Sequence, residues 1–506
     1  MRTSHAWLAW LIGSLLAVPA AAQGPAGKEW IAAHYTKREV LVPMRDGVKL
    51  FTSLYEPKDA RAKHPILLKR TPYSCSPYGA TEIADTLGPS TLFLDKEYVF
   101  VAQDVRGAYM SEGAFVDVRP HIEGKHSPSQ IDEASDAFDT IDWLVENVPD
   151  NNGCVGMWGI SYPGFYASAG MIDAHPALKA VSPQAPIADW WYDDFHHNGA
   201  LFLPHAFNFL GGFGRPRPEP TTTRSFKLEH GTPDGYRFFL DLGPLSNVDA
   251  KWFHGDVAMW NDIVAHPNYD EYWSARNLLP HLKHVAPAVM TVGGWFDAED
   301  LYGALNTYRA LEQQNPGIYN VLVMGPWQHG GWSRTDGDRL GNARFGEKTS
   351  LRYRKDMELA FFEHFLKDAD LPLPAEANVF DTGANEWRSF DVWPPERSFS
   401  AGLVMLDRGR LMLWDHAHEI NLSFATRMQE YEFISDPAHP VPFTASIATG
   451  MTKEYMTDDQ RFVATRPDVL SLATEPLPRD VTIAGPLTAD LVVTTSGTDS
   501  DWIVKL

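Results

Sequence analysis

The chain has 506 residues, with 65 Asp and Glu against 43 Lys and Arg and a formal net charge of −22, which makes it a poor partner for nucleic acid or an anionic membrane surface. Its length exceeds one ordinary hydrophobic core, so two or three domains are expected. Only two cysteines are present, which excludes a disulfide framework.

The first element is a leader. Arg2, an apolar run from Ala6 to Val18 and Ala20-Ala21-Ala22 before Gln23 match a secretory signal peptide over residues 1–22, so the mature chain is expected to work in the periplasm or outside the cell. That run is too short to span a bilayer, and no later apolar stretch is long enough. Residues 37–55 read as a hairpin turning at Arg45-Asp46-Gly47. After it, short apolar runs at Pro65 to Leu68, Tyr98 to Ala102, Val155 to Trp158, Leu178 to Val181, Ala288 to Val292 and Asn320 to Met324 are each followed by a loop of Gly, Pro or polar residues. This rhythm predicts a mostly parallel sheet in an α/β domain, placed at 23–188 and 286–370. Glu133 to Asn147 reads as an amphipathic helix with its acidic residues toward water, and Asp300 to Gln314 has similar character.

Residues 189–285 break the alternation and are dense in Trp, Phe, His, Gly and Pro, as an inserted, mainly helical cap would be. Arg352 to Lys367 gives a closing helix. Beyond Leu371 the composition shifts to Thr, Val, Pro and turn residues, so 371–506 is expected to form a C-terminal β domain. Its last residues, Asp499 to Leu506, end inside a strand pattern, which reads as a domain cut short. Cys154 begins the strand leading to Ser161 and Cys75 follows the far end of another, parallel strand, which puts them at opposite edges of the sheet, beyond disulfide reach at about 3.3 Å per strand residue, so two free thiols are expected.

Gly159-Ile160-Ser161-Tyr162-Pro163-Gly164 reads as a nucleophile elbow, a sharp strand-to-helix turn that lifts the Ser161 hydroxyl above a sheet and leaves the Tyr162 N–H free for an oxyanion. The second glycine comes one residue later than usual, and Pro163 is tolerated in a first helical turn. An α/β-hydrolase places its acid and base after later strands, in that order. Asp297 follows Gly293-Gly294, and His329 follows Gly325-Pro326-Trp327-Gln328. Each has a plainer explanation alone, as a helix cap or a solvated loop histidine. Together, in order and in the right loops, they form a Ser161–His329–Asp297 triad.

The elbow, Gly294-Trp295-Phe296-Asp297-Ala298-Glu299-Asp300, Gly325-Pro326-Trp327-Gln328-His329 and Asp104-Val105-Arg106-Gly107 resemble the α-amino acid ester hydrolases, grouped with cocaine esterase and the X-prolyl dipeptidyl aminopeptidases. The likeness runs from about Val40 to the last residue. It implies that Tyr73, in Thr71-Pro72-Tyr73, shares the oxyanion hole with the Tyr162 amide. It also implies that Glu299, Asp300 and Asp194 hold a substrate α-ammonium, with Asp193 the alternative to Asp194. Two like charges about 4 Å apart cost on the order of 4 kcal/mol near a surface, so three converging carboxylates call for a cation or a proton. The alternative is that Asp300 caps its helix while Glu299 is solvated.

The resemblance further implies a jelly-roll C-terminal domain, a homo-oligomer, and β-lactams with an α-amino acyl side chain as possible substrates. No metal or organic cofactor is expected: nothing like a Ca²⁺ loop surrounds the carboxylates, and His196-His197 and His416 with His418 read as surface histidines. Trp190, Trp191, Tyr192 and Phe195 are expected mainly to pack the cap. The resulting expectation is an exported serine hydrolase or acyltransferase for esters and amides of α-amino acids. An X-Pro dipeptidyl-peptidase, a general carboxylesterase, and a secreted binding protein on an inactive hydrolase scaffold are its rivals.

Overall fold

The short apolar runs assemble into one ten-stranded sheet in the computed structural model, which describes residues 27–59, 62–223, 228–415 and 430–506. The leader read in residues 1–22, and His416 and His418, lie outside the described residues. The strands are β1 (Tyr35–Pro43), β2 (Lys49–Pro57), β3 (His64–Thr71), β4 (Val99–Asp104), β5 (Asn151–Ser161), β6 (Leu178–Pro186), β7 (Ala288–Gly294), β8 (Asn320–Gly325), β9 (Ala377–Asp381) and β10 (Glu386–Phe390). Their order is β1-β2-β4-β3-β5-β6-β7-β8-β9-β10. All pairs from β4 to β9 are parallel; the β1–β2 hairpin, the β2–β4 pair and the β9–β10 pair are antiparallel.

Both faces of the central strands are buried, which is why they read as continuous apolar runs. Ile66 and Leu68 of β3 pack with Val155, Met157, Ile141 and Leu144 on one face. Leu67 points the other way, into a layer with Phe100, Trp158, Met290, Val323 and Phe361. Parallel pairing carries the C-terminal ends of β3, β5, β7 and β8 to one edge, the usual ligand-binding edge of such sheets. The loops holding Tyr73, Ser161, Asp297 and His329 leave from it.

The principal helices are α1 (Glu133–Asn147), α2 (Tyr162–Gly170), α3 (Leu203–Phe213), α4 (Leu301–Gln314), α5 (Gly331–Arg334) and α6 (Leu359–Lys367). Helix α1 starts in a capping box: Asp132 accepts from the Ser135 N–H at 2.9 Å, and Ser135 Oγ accepts from the Asp132 N–H at 2.9 Å. Its acidic residues do not all face water. Glu133 and Asp136 are buried, 4% and 1% exposed, because Arg70 reaches Glu133 at 3.1 Å and Arg106 reaches Asp136 at 2.7 Å. Arg106 also holds Asp46 of the β1–β2 turn at 2.7 Å, tying hairpin, sheet and helix together. Truncating any member would leave a buried charge without its partner.

Between β6 and β7 lie α3 and several shorter helices, so the inserted segment is helical and irregular as expected. The closing helix is interrupted: Thr349–Arg352 runs into a π-helical turn at Tyr353–Glu358 before α6. After Leu371 the chain first adds β9 and β10 to the main sheet, so that sheet runs past the division expected at residue 371. A separate three-stranded sheet of Ala401–Met405, Arg410–Asp415 and Ala473–Thr474 follows. Both cysteines are free thiols, and among the described residues no helix is long and apolar enough to cross a membrane.

Candidate active site

Ser161 is the last residue of β5 and sits at φ 68°, ψ −131°, a backbone conformation that non-glycine residues rarely adopt and that stores strain. The flanking glycines make the turn sterically possible. A Cβ on Gly159 would lie 2.2 Å from the Pro163 carbonyl oxygen, and one on Gly164 would lie 2.7 Å from the Gln184 carbonyl oxygen of β6. The glycine displaced to position 164 is therefore the one that lets α2 run against β6. The Tyr162 ring is fully buried and its hydroxyl accepts from the Val118 N–H at 2.8 Å, so what this residue offers Ser161 is its backbone N–H, unsatisfied within the first helical turn.

Tyr73 meets Tyr162 edge-on, ring centroids 6.2 Å apart, and lines the same cavity as Ser161. Burial, followed by the charges of Asp194, Asp300 and Glu299, raises its phenol well above the ordinary value. Tyr73 thus stays a donor.

The loops after β7 and β8 are stitched backbone to backbone. Trp295 N–H donates to the Gly325 carbonyl at 2.9 Å, and Phe296 N–H to that of Trp327 at 3.0 Å. A Cβ on Gly294 would come within 2.2 Å of the Trp327 carbonyl oxygen. This contact brings Asp297 Oδ2 to 2.9 Å from His329 Nδ1. Asp297 Oδ1 accepts the Glu299 and Asp300 N–H groups at 2.9 and 3.1 Å. Burial works to raise the Asp297 carboxyl, but His329 and these bonds outweigh it and hold the group below the usual range. Burial likewise works to lower the His329 imidazole, yet Asp297, Glu299 and Asp194 overcome it and push it up to about 9. Its Nε2 lies 3.6 Å from Glu299 Oε2, and Nδ1 lies 3.8 Å from Asp300 Oδ2.

Asp300 stands at the N-cap of α4 but makes no capping bond. It is fully buried, and both carboxyl oxygens lack a hydrogen-bond partner. Burial, then Asp194, Asp193, Asp297 and Glu299, raises its carboxyl well above the ordinary value. A π-helical turn at Trp191–Phe195 separates the fates of the adjacent aspartates. Asp193 accepts backbone N–H groups of Ala188, Asp189 and Gly303, binding the start of the cap to α4. Asp194 instead lines the catalytic cavity, held by Trp190 Nε1 at 2.7 Å and His205 Nε2 at 2.9 Å.

That cavity, about 510 Å³, is lined by Ser161, His329, Tyr73, Asp194, Glu299 and Phe209 among others. The cap aromatics Trp190, Trp191 and Phe195 are buried in packing instead. The histidine pair of the cap is not at the surface: His196 stacks on Trp191 at 3.7 Å, and His197 Nε2 bonds the Asp193 carbonyl at 2.6 Å. Asp194, His205 and Glu299 place one donor atom each within 4.8 Å. Because Asp194 and His205 already satisfy one another, the set suits an organic cation better than a metal ion.

Sequence reasoning missed His205, whose pKa is raised because Asp194 and Glu299 outweigh burial; a lone histidine in the first turn of an apolar helix carries no signal. It also missed Tyr455, brought from the C-terminal region near enough for burial, Asp297 and Glu299 to raise its phenol to about 12.

A serine on a strained elbow, a histidine bonded to a buried aspartate and a doubly wound sheet presenting both at one edge define a serine hydrolase of the α/β-hydrolase fold. The chain belongs to the X-Pro dipeptidyl-peptidase (S15) family, whose profile matches residues 46–331; the family's C-terminal non-catalytic domain matches residues 373–506. Cocaine esterase of Rhodococcus sp. (strain MB1 Bresler) is 29% identical over 485 residues, covering 92% of this chain and 79% of that protein. Among solved structures, an α-amino acid ester hydrolase is 32% identical with a TM-score of 0.78, covering 94% of this chain and 77% of the other. An aminopeptidase from the marine sediment archaeon Thaumarchaeota archaeon is 33% identical with a TM-score of 0.75, covering 88% and 72%.

Proposed function

We propose that this protein is an exported serine hydrolase that cleaves esters and amides of α-amino acids, or transfers their acyl group, through a covalent acyl-enzyme. Ser161 attacks the carbonyl carbon while His329 takes the hydroxyl proton at Nε2 and then gives it to the departing alcohol or amine. Asp297 holds Nδ1–H and stabilises the imidazolium. The Tyr162 N–H and the Tyr73 hydroxyl receive the charge that develops on the carbonyl oxygen. Water, activated by the same imidazole, releases the acid and restores Ser161.

One observation carries the substrate class: Glu299 and Asp194 line the catalytic cavity, and Asp300, next in the chain to Glu299, is buried with neither carboxyl oxygen hydrogen-bonded. Such a group must bind a proton or meet a cation. An α-ammonium, next to the scissile carbonyl, supplies that cation where the serine can reach the ester. The relationship to an α-amino acid ester hydrolase supports this reading, and β-lactams with an α-amino acyl side chain belong to the same class.

Phenylglycine methyl ester should therefore be hydrolysed with kcat/KM about 100-fold above its des-amino analogue, as for a charge-assisted contact of about 2–3 kcal/mol. Glu299→Gln should raise KM for the amino ester and leave the gap much smaller. The pH profiles should also differ. In the empty site His329 is pushed up to about 9, so below that pH the imidazole is protonated and cannot accept the Ser161 proton. A bound ammonium offsets Glu299 and Asp194, two of the charges that raise it, and lowers that pKa. Hydrolysis of the des-amino ester should climb with pH toward about 9, while kcat for the amino ester levels off at lower pH. Equal rates with superimposable profiles would discard the ammonium reading. An Xaa-Pro anilide in the same panel tests the dipeptidyl-peptidase reading, which the family profile and the archaeal aminopeptidase favour.

A further inference from the structure

The catalytic cavity carries cations as well as carboxylates. Besides Asp194 and Glu299 it is lined by Lys69 and Arg334, and neither cation makes an ion pair with any described residue, although the chain carries 65 acidic groups to 43 basic ones. Arg70, next along β3, is by contrast paired with Glu133 at 3.1 Å.

The two cations approach from one face of the sheet. Side chains alternate along a strand, so Lys69 shares the face of Leu67, which packs in the layer holding Trp158 and Trp332. Helix α5 carries Trp332 in that layer and ends at Arg334. Lys69 Nζ stands 5.3 Å from the centre of the Trp158 ring, a contact that offsets only part of the cost of shielding an ammonium from water. Burial accordingly pulls Lys69 below its ordinary pKa. The Arg334 guanidinium packs over Gly330, next to His329, where a Cβ would meet Arg334 Cζ at 3.1 Å.

We propose that Lys69 and Arg334 bind a carboxylate on the leaving group, so that the preferred substrates are α-aminoacyl compounds whose departing part is itself acidic. This rests on the serine-hydrolase and ammonium-pocket reading above and adds the other half of the substrate. In a free dipeptide the C-terminal carboxylate sits on the carbon next to the scissile nitrogen, and in a penicillin or cephalosporin it sits on the ring system that departs. Both present an ammonium and a carboxylate on opposite sides of the carbonyl that Ser161 attacks, and the cavity offers acidic and basic side chains to meet them.

The test compares an aminoacyl dipeptide having a free carboxylate with the same dipeptide as its C-terminal amide, and an α-aminoacyl β-lactam with its methyl ester. In the wild-type enzyme kcat/KM for each acid should exceed that of its neutral partner by about tenfold or more, the range of one charge-assisted hydrogen bond. Arg334→Gln and Lys69→Met should each bring that ratio toward one, mainly through KM. Arg334 is exposed, so its variant keeps the test decisive if Lys69→Met, inside a strand, fails to fold. Preference in the dipeptide pair alone assigns the site to peptides, and in the β-lactam pair alone to β-lactams. A wild-type ratio near one in both pairs, or a ratio unmoved by Arg334→Gln, overturns the proposal. If the amino ester is still preferred over its des-amino analogue, the ammonium reading survives that failure.

Discussion

Ser161→Ala is expected to lower kcat for an α-amino acid ester by about 10⁶-fold, or about 8 kcal/mol of transition-state stabilisation. The serine is one of the few side chains for which the chain accepts a strained backbone, at φ 68° and ψ −131°, with glycines at 159 and 164 clearing the space. Alanine suits that conformation no better and no worse than serine, so the variant should melt at the wild-type temperature while its activity disappears. In the proposed mechanism what remains comes from Tyr73 and the Tyr162 N–H, which still lower the barrier to attack by water. Covalent labelling with a fluorophosphonate should be lost in the same variant. Full labelling of Ser161→Ala would assign the nucleophile elsewhere. Failure of the wild-type protein to label would favour a binding protein on an inactive scaffold.

Asp297→Asn should cost about 10⁴-fold in kcat, or about 5.5 kcal/mol. The size follows from how the carboxylate is held. Oδ1 accepts two backbone N–H groups, from Glu299 and Asp300, so an asparagine must keep its carbonyl oxygen there. Its amide NH₂ then faces His329 Nδ1, which sits 2.9 Å from Oδ2 in the wild type. Two donors cannot share that contact, so Nδ1 becomes the acceptor and the proton moves to Nε2, the nitrogen proposed to receive it from Ser161. The shape survives and the tautomer is wrong. A kcat within tenfold of wild type would show that Asp297 does not orient the base.

Strands β1 to β8, α1 and the order of the Ser161, Asp297 and His329 loops were legible because each rests on local chemistry: apolar runs between turn residues, a 3.6-residue period behind Asp132, and glycines at positions 159, 164 and 294 where backbones nearly touch. What stayed hidden depends on partners distant in sequence. Glu133 and Asp136 look like solvated helix residues until Arg70 and Arg106 are placed beside them. His196 looks like a surface histidine until Trp191 stacks on it. The difference between Asp193 and Asp194 arises from a π-helical turn, which has no sequence period of its own. That Asp300 caps nothing, and that His205 turns to Asp194, are facts of tertiary placement.

Strand β9 pairs with β8, whose end launches the His329 loop, through Leu322 to Ala377 and Met324 to Val379. Anyone trimming the gene to a minimal catalyst would therefore be misled by the shift in composition near residue 371. A stop there strips the cover from β8 and leaves its amides and carbonyls open as a template for a second molecule. A stop codon placed after Phe390 keeps that border sealed.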